Sequence, residues 1–97
     1  MISYSFDDFI TLAMTYPHND GVPRERLAEM ILAQEKVEFL PSTVVRIPNF
    51  TLSARNRYKH DWTQFNLQGR AHDAPYSFFT FFEYECDALF FILARGD

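Results

Sequence analysis

The first third of the chain has the apolar spacing of two short helices. From Phe6 to Met14 the apolar residues recur three and four positions apart, which places them on one face of a helix. Ser5 is suited to cap that helix, and Pro17 ends it. A second helix is predicted over 23–34, because proline is favoured at a first helical position and apolar residues again line one side.

After residue 34 the pattern changes to one typical of strands. Residues 37–39 and 43–47 are rich in β-branched and aromatic side chains, and 50–52 forms another short extended piece. Polar and apolar residues alternate over 62–67, which predicts a strand with one face exposed to solvent. Residues 69–75 are interpreted as a connection.

The most hydrophobic part of the chain follows this connection. Residues 76–84 and 88–94 are apolar on both alternating faces, as in central strands, and 85–87 would be the turn of a hairpin. A helix is the alternative, with Phe82, Cys86, Leu89 and Leu93 at helical spacing. We prefer the hairpin because four aromatic residues within 78–82 oppose a helix.

These elements predict one α+β domain over residues 1–97. The two N-terminal helices should pack on one face of an antiparallel sheet of four or five strands, with the C-terminal hairpin at its centre. The expected core residues are Phe9, Ile10, Leu27, Ile31, Val45, Phe65, Phe79, Phe81, Leu89 and Phe91.

Composition narrows the class of protein. Hydrophobic residues make up 47% of the 97 positions, which argues against disorder. The single cysteine, Cys86, excludes a disulfide within the chain and a multi-cysteine zinc site. The sequence shows neither a signal peptide nor an apolar run of membrane-spanning length, so we predict a cytoplasmic protein.

Acidic and basic residues are concentrated in different parts of the chain, and this distribution bears on the choice of binding partner rather than on the fold. Residues 1–40 and 73–97 are each net acidic, whereas 41–72 is net basic; the whole chain carries −4. A basic middle between acidic ends gives the molecule a polar field that would steer charged partners.

The basic middle contains the predicted partner-binding residues. Arg55, Arg57 and Lys59 alternate, so an extended segment would project all three from one face, beside the aromatic rings of Tyr58 and Trp62. Cations beside aromatic rings suit an acidic protein surface or, alternatively, a nucleic acid bound through 55–62. The structural alternative is a solvated loop with Trp62 in the core. A basic partner would instead contact the acidic ends, namely Asp7, Asp8, Glu25 and Glu29, or Glu83, Glu85 and Asp87.

Catalytic motifs are not evident in the sequence. It contains no phosphate-binding glycine loop and no nucleophile motif, and its three histidines are too scattered to predict a metal site. We therefore predict a non-enzymatic protein-binding module without cofactor or metal, of the small, acidic, aromatic-rich type common among immunity proteins, antitoxins and phage-encoded inhibitors. A remote alternative is a nuclease-like site assembled from His60, His72, Arg70, Tyr58 and Glu83.

Overall fold

The computed structural model describes residues 2–46, 66–74 and 79–95, which form an α+β fold. Its helices are α1 (Phe6–Ala13), α2 (Arg24–Gln34) and α3 (Glu85–Arg95), with a 3₁₀ turn at Pro17–Asn19. Its strands are β1 (Ile2–Ser5), β2 (Thr43–Arg46), β3 (Ala71–Asp73) and β4 (Phe79–Phe82). The four strands form an antiparallel sheet in the order β1-β2-β4-β3.

The two predicted N-terminal helices are present, although a strand precedes them. Ser5 caps α1 as expected, because its Oγ accepts a hydrogen bond from the backbone N–H of Asp8 at 3.1 Å. The sequence analysis missed β1, whose Ile-Ser-Tyr-Ser pattern alternates correctly but spans only four residues. Residues 37–39 were predicted to form a strand, and this was wrong, because they belong to no strand of the sheet. They follow the C-terminal end of α2. There Lys36 adopts a left-handed backbone conformation with a φ of 58°, and the Val37 N–H donates to the Leu32 carbonyl oxygen at 2.9 Å.

The predicted C-terminal hairpin was wrong. Its first strand exists as the shorter β4, but 85–95 is α3, so the predicted turn is the first turn of that helix. Of the four aromatic residues that opposed a helix, Phe79, Phe81 and Phe82 belong to β4, upstream of α3, and Phe78 lies outside the described residues. Downstream, 85–95 is rich in good helix formers and begins with acids, which the helix dipole favours. The predicted connection over 69–75 also needs correction, since it contains β3.

β4 lies inside the sheet, between β2 and β3, and both of its faces are buried. Phe81 projects towards α1 and α2, whereas its neighbour Phe82 projects towards α3, because successive strand residues face opposite sides. Two cores result. The α1/α2 core contains Phe9, Ile10, Ala13, Leu27, Phe39, Val44, Ala74 and Phe81. The α3 core contains Val45, Phe82, Ala88 and Phe91.

The predicted core residues divide into four groups. Six are buried, namely Phe9, Ile10, Leu27, Val45, Phe81 and Phe91. Ile31 and Phe79 are partly buried against the α1/α2 core. Leu89 was wrongly assigned, because 49% of its surface is exposed on the far side of α3. Phe65 lies outside the described residues.

Candidate interaction surface

The first turn of α3 is anchored by a buried carboxylate. Both oxygens of Asp87 accept backbone hydrogen bonds, Oδ1 from the N–H of Gln68 and Oδ2 from that of Gly69, each at 2.9 Å. Asp87 is buried, so these bonds satisfy a charge that would otherwise be costly to remove from water. The segment before β3 and the start of α3 are therefore held as one unit.

A glycine is needed where this segment approaches the start of α3. A Cβ built on Gly69 would lie 2.6 Å from the ring of Tyr84 and 2.8 Å from Oε1 of Glu83. Real Cβ atoms do not approach neighbours so closely. Any other residue at this position would have to displace the Tyr84 ring or the Glu83 carboxylate.

An ion pair reinforces the same corner. The Arg70 guanidinium donates to Oε2 of Glu83 at 3.0 Å, and the Arg70 backbone N–H donates to Oε1 at 3.1 Å. The guanidinium also lies 5.2 Å from the centre of the Phe39 ring. Hydrogen bonding from the Arg70 side chain, and secondarily from its backbone N–H, holds the pKa of Glu83 below its ordinary value. The same side-chain hydrogen bond raises the pKa of Arg70.

The inner face of α3, formed by Ala88, Phe91 and Ile92, packs on the sheet. Ala88 and Phe91 are completely buried, and Ile92 is partly buried beside them. The Phe91 ring lies 5.5 Å from that of Phe82 in a tilted arrangement. This side of α3 is therefore buried within the fold.

The outer face of α3 is also apolar, and it faces solvent. It consists of Cys86, Leu89, Phe90 and Leu93, spaced i, i+3, i+4 and i+7 along the helix. Leu89 and Phe90 are 49% and 48% exposed, and Leu93 is 81% exposed. The sequence analysis placed Cys86, Leu89 and Leu93 at helical spacing in its alternative helix, but it expected Leu89 in the core. The signal that would have identified it is a second stripe, since apolar residues lie on two opposite sides of one helix.

A groove lies between the N-terminal ends of α1 and α2, apart from the outer face of α3. This groove has a volume of about 490 Å³ and is lined by Ser5, Phe6, Asp7, Ile10, Arg24, Glu25, Ala28, Leu40, Pro41 and Ser42. Its lining carries two carboxylates and one guanidinium. Arg24 is already engaged, because its guanidinium donates to the Asp7 carbonyl oxygen at 3.0 Å and to the Thr11 hydroxyl. With two carboxylates and one guanidinium, the lining of the groove is net acidic.

The C-terminal end of α2 is held by a histidine from the edge of the sheet. Nε2 of His72 lies 2.7 Å from the backbone carbonyl oxygen of Glu35. A carbonyl oxygen can only accept, so Nε2 carries the proton and donates it. The Glu35 side chain is buried, and within the described part of the chain its Oε2 has no hydrogen-bond partner.

The structure distributes the sequence-predicted site residues unevenly. Arg55, Arg57, Tyr58, Lys59 and Trp62 all lie outside the described residues. Of the acidic alternatives, those on α1 and α2, together with Glu85, are exposed. Asp87 is buried and Glu83 is paired with Arg70, so both carboxylates are committed within the fold.

The nuclease-like set is only partly brought together. Arg70 and Glu83 form an ion pair, whereas the His72 ring is directed to the end of α2. His60 and Tyr58 lie outside the described residues. Within the described ranges, no group of three His, Cys, Asp or Glu side chains is arranged to hold a metal ion.

Two further findings concern the chain as a whole. None of the helices in the described ranges is both long and apolar enough to cross a membrane. No protein family model, curated protein or solved structure matches the chain.

Proposed function

We propose that this chain is a small, non-enzymatic protein-binding module that occupies a partner's surface with the outer face of α3. The observation that carries the proposal is a helix with two apolar faces. The inner face is buried on the sheet, while Leu89, Phe90 and Leu93 leave about half or more of their surface in water. Clustered exposed apolar residues of this kind mark interaction sites in soluble proteins.

The spacing of the outer face indicates how the partner is engaged. Anchors at i, i+3, i+4 and i+7 are the pattern by which a helix inserts into an apolar groove of another protein. Anchoring through Asp87 and Phe91 fixes α3 before binding, so little conformational entropy would be lost on association.

The charge beside the outer face indicates the chemistry of the partner. Glu85 is exposed in the first turn of α3, and the C-terminal region is net acidic. A partner groove with an apolar floor and a basic rim near the helix N-terminus complements this surface. The small, acidic, aromatic-rich character of the chain is common among immunity proteins, antitoxins and phage-encoded inhibitors, and this is the functional class that we propose for it.

The test is an affinity purification from the native host with matched baits. Leu93→Lys changes the most exposed anchor on the outer face, whereas Leu40→Lys makes the same change at a leucine that is 74% exposed outside α3. The wild-type chain and Leu40→Lys should retain the same stoichiometric partner, and Leu93→Lys should lose it. Circular dichroism and thermal melting of each bait confirm that folding is unchanged.

Two results would contradict the proposal. Equal recovery by both leucine variants would move the contact away from α3, and recovery of no stoichiometric protein under several conditions would remove the binding function itself. Replacing Arg55, Arg57 and Lys59 together by alanine tests the segment predicted from sequence. Loss of the partner in that variant alone would place the contact there.

A further inference from the structure

The two edges of the sheet differ in their protection against pairing with another strand. β3 carries a charged residue, Asp73, and natural edge strands use such charges to discourage association. β1 has no charge and no proline, and its register with β2 is unbroken from Ile2 to Ser5. Among the described strands β2 alone pairs with β1, so the other edge of β1 can accept a further strand.

The hydrogen bonding of β1 shows which groups face outward. The Phe6 N–H donates to the Ser42 carbonyl at 2.9 Å, in register with the four β1–β2 pairs. Hydrogen-bonded positions alternate in an antiparallel pair, so Ile2 and Tyr4 bond to β2, whereas Ser3 and Ser5 direct their backbone groups away. By this alternation, the Ser3 N–H and C=O and the Ser5 N–H are bonded to none of the described strands.

We propose that a second copy of this chain pairs with β1, antiparallel, to form a continuous eight-stranded sheet across a two-fold axis. With Ser3 opposite Ser3 of the second copy, the two residues exchange both of their outward hydrogen bonds. Ile2 of each copy then lies opposite Tyr4 of the other on the same sheet face. Ile2 is 52% exposed, and an aliphatic residue directly opposite an aromatic one is a favourable cross-strand pair.

The distribution of charge also favours a second copy of this chain as the partner of β1. The acidic start of α1, Asp7 and Asp8, follows β1, whereas the exposed Arg46 lies beside the other end of the strand, opposite Ile2. Antiparallel pairing brings the acids of each copy towards Arg46 of the other at both ends of the interface. In this register only Ile2, Ser3 and Tyr4 of each β1 lie opposite β1 of the other copy, so the interface is small and the dimer should be weak and concentration-dependent.

The test is sedimentation equilibrium of the purified chain over a wide range of concentration, with hydrogen exchange at the low and high ends. We expect a reversible monomer–dimer equilibrium, with the Ser3 amide exchanging more slowly at high concentration. A chain that remains monomeric throughout would overturn the proposal, even if a foreign extended peptide bound β1.

Four variants separate this interface from the outer face of α3. Ser3→Pro removes the outward N–H without removing a bond to β2, and it should weaken dimerisation about tenfold or more, whereas Ser3→Ala should not. Ile2→Lys places a charge opposite Tyr4 and should weaken it too, which serves as the second test if Ser3→Pro is poorly folded. Leu93→Lys should leave the dimer intact; a dimer lost only in that variant would assign the interface to α3 and refute the proposal.

Discussion

Within the described residues, the two sides of the sheet bury different numbers of side chains. The described part of the α1/α2 core has eight buried residues under two helices, whereas the described part of the α3 core has four under one helix. Rings on the deeper side contact one another more than once; Phe9 meets both Phe79 and Phe81 edge-on at 4.9 and 5.6 Å. Among the described contacts, the α3 side is the thinner one and has less redundancy, and it is the side that presents the candidate interaction surface. A binding helix here depends on a few specific contacts that hold it in place.

The largest effect is expected from Phe91→Ala. This change removes the central ring of the α3 core, and it should lower the free energy of unfolding by about 3–5 kcal/mol, measured by urea denaturation. Leu89→Ala on the outer face of the same helix is the matched control and should cost far less. If the two variants unfold alike, α3 is not packed by its inner face and the contrast between the two cores fails.

The next effect concerns the anchor of α3. Asp87→Ala leaves the N–H groups of Gln68 and Gly69 without their acceptors, and it should cost about 2–3 kcal/mol. Asp87→Asn keeps one acceptor oxygen and should fall between the alanine variant and the wild type. Hydrogen exchange at the two amides provides a local readout, since both should exchange faster in Asp87→Ala. Unchanged exchange there would show that the thinner side is held in some other way.

A smaller loss is expected from Gly69→Ala. The added methyl group meets the Tyr84 ring and the Glu83 carboxylate, and forcing them apart should cost about 1–2 kcal/mol. In a Tyr84→Ala background the same change should cost less, because half of the collision has been removed. Equal costs in both backgrounds would mean that the close approach does not limit this corner.

The smallest effect is a dependence of stability on pH where the two sides meet. Arg70 contacts Phe39 of the α1/α2 core and pairs with Glu83 at the start of α3. Because the folded pKa of Glu83 is lowered, its stabilisation is present above the ordinary value of 4.5 and is lost as the pH falls through the folded pKa. Glu83→Gln should reduce this part of the acid dependence, measured as urea midpoints at successive pH values. An unchanged profile would show that the pair contributes nothing measurable.

The fold could be predicted from the sequence where an element has a long and clear local signal. The cap at Ser5 and the apolar stripe of α1 are local, so both were predicted, and so was the burial of Phe81. The helical structure of 85–95 was not predicted, because a short apolar run does not distinguish a strand from a helix that is apolar on two sides. Only the packing of Phe91 on Phe82 makes the inner face of α3 recognisable.

The candidate site was harder to predict for a physical reason. Its exposed leucines look like core residues in the sequence, since hydrophobicity alone does not show on which side of a helix the sheet lies. The anchoring role of Asp87 depends on backbone groups 18 and 19 positions away, which no local pattern reveals. The basic segment at 55–59 remains a prediction from sequence.

The position of β4 in chain order has a consequence for how the protein is made. β4 is hydrogen-bonded to both β2 and β3, yet it follows them in the sequence. Until residues 79–82 have been synthesised, β2 has no neighbour on one side and β3 has no sheet to join. A nascent chain that has not reached this point exposes the unpaired edge of β2, and such edges promote aggregation.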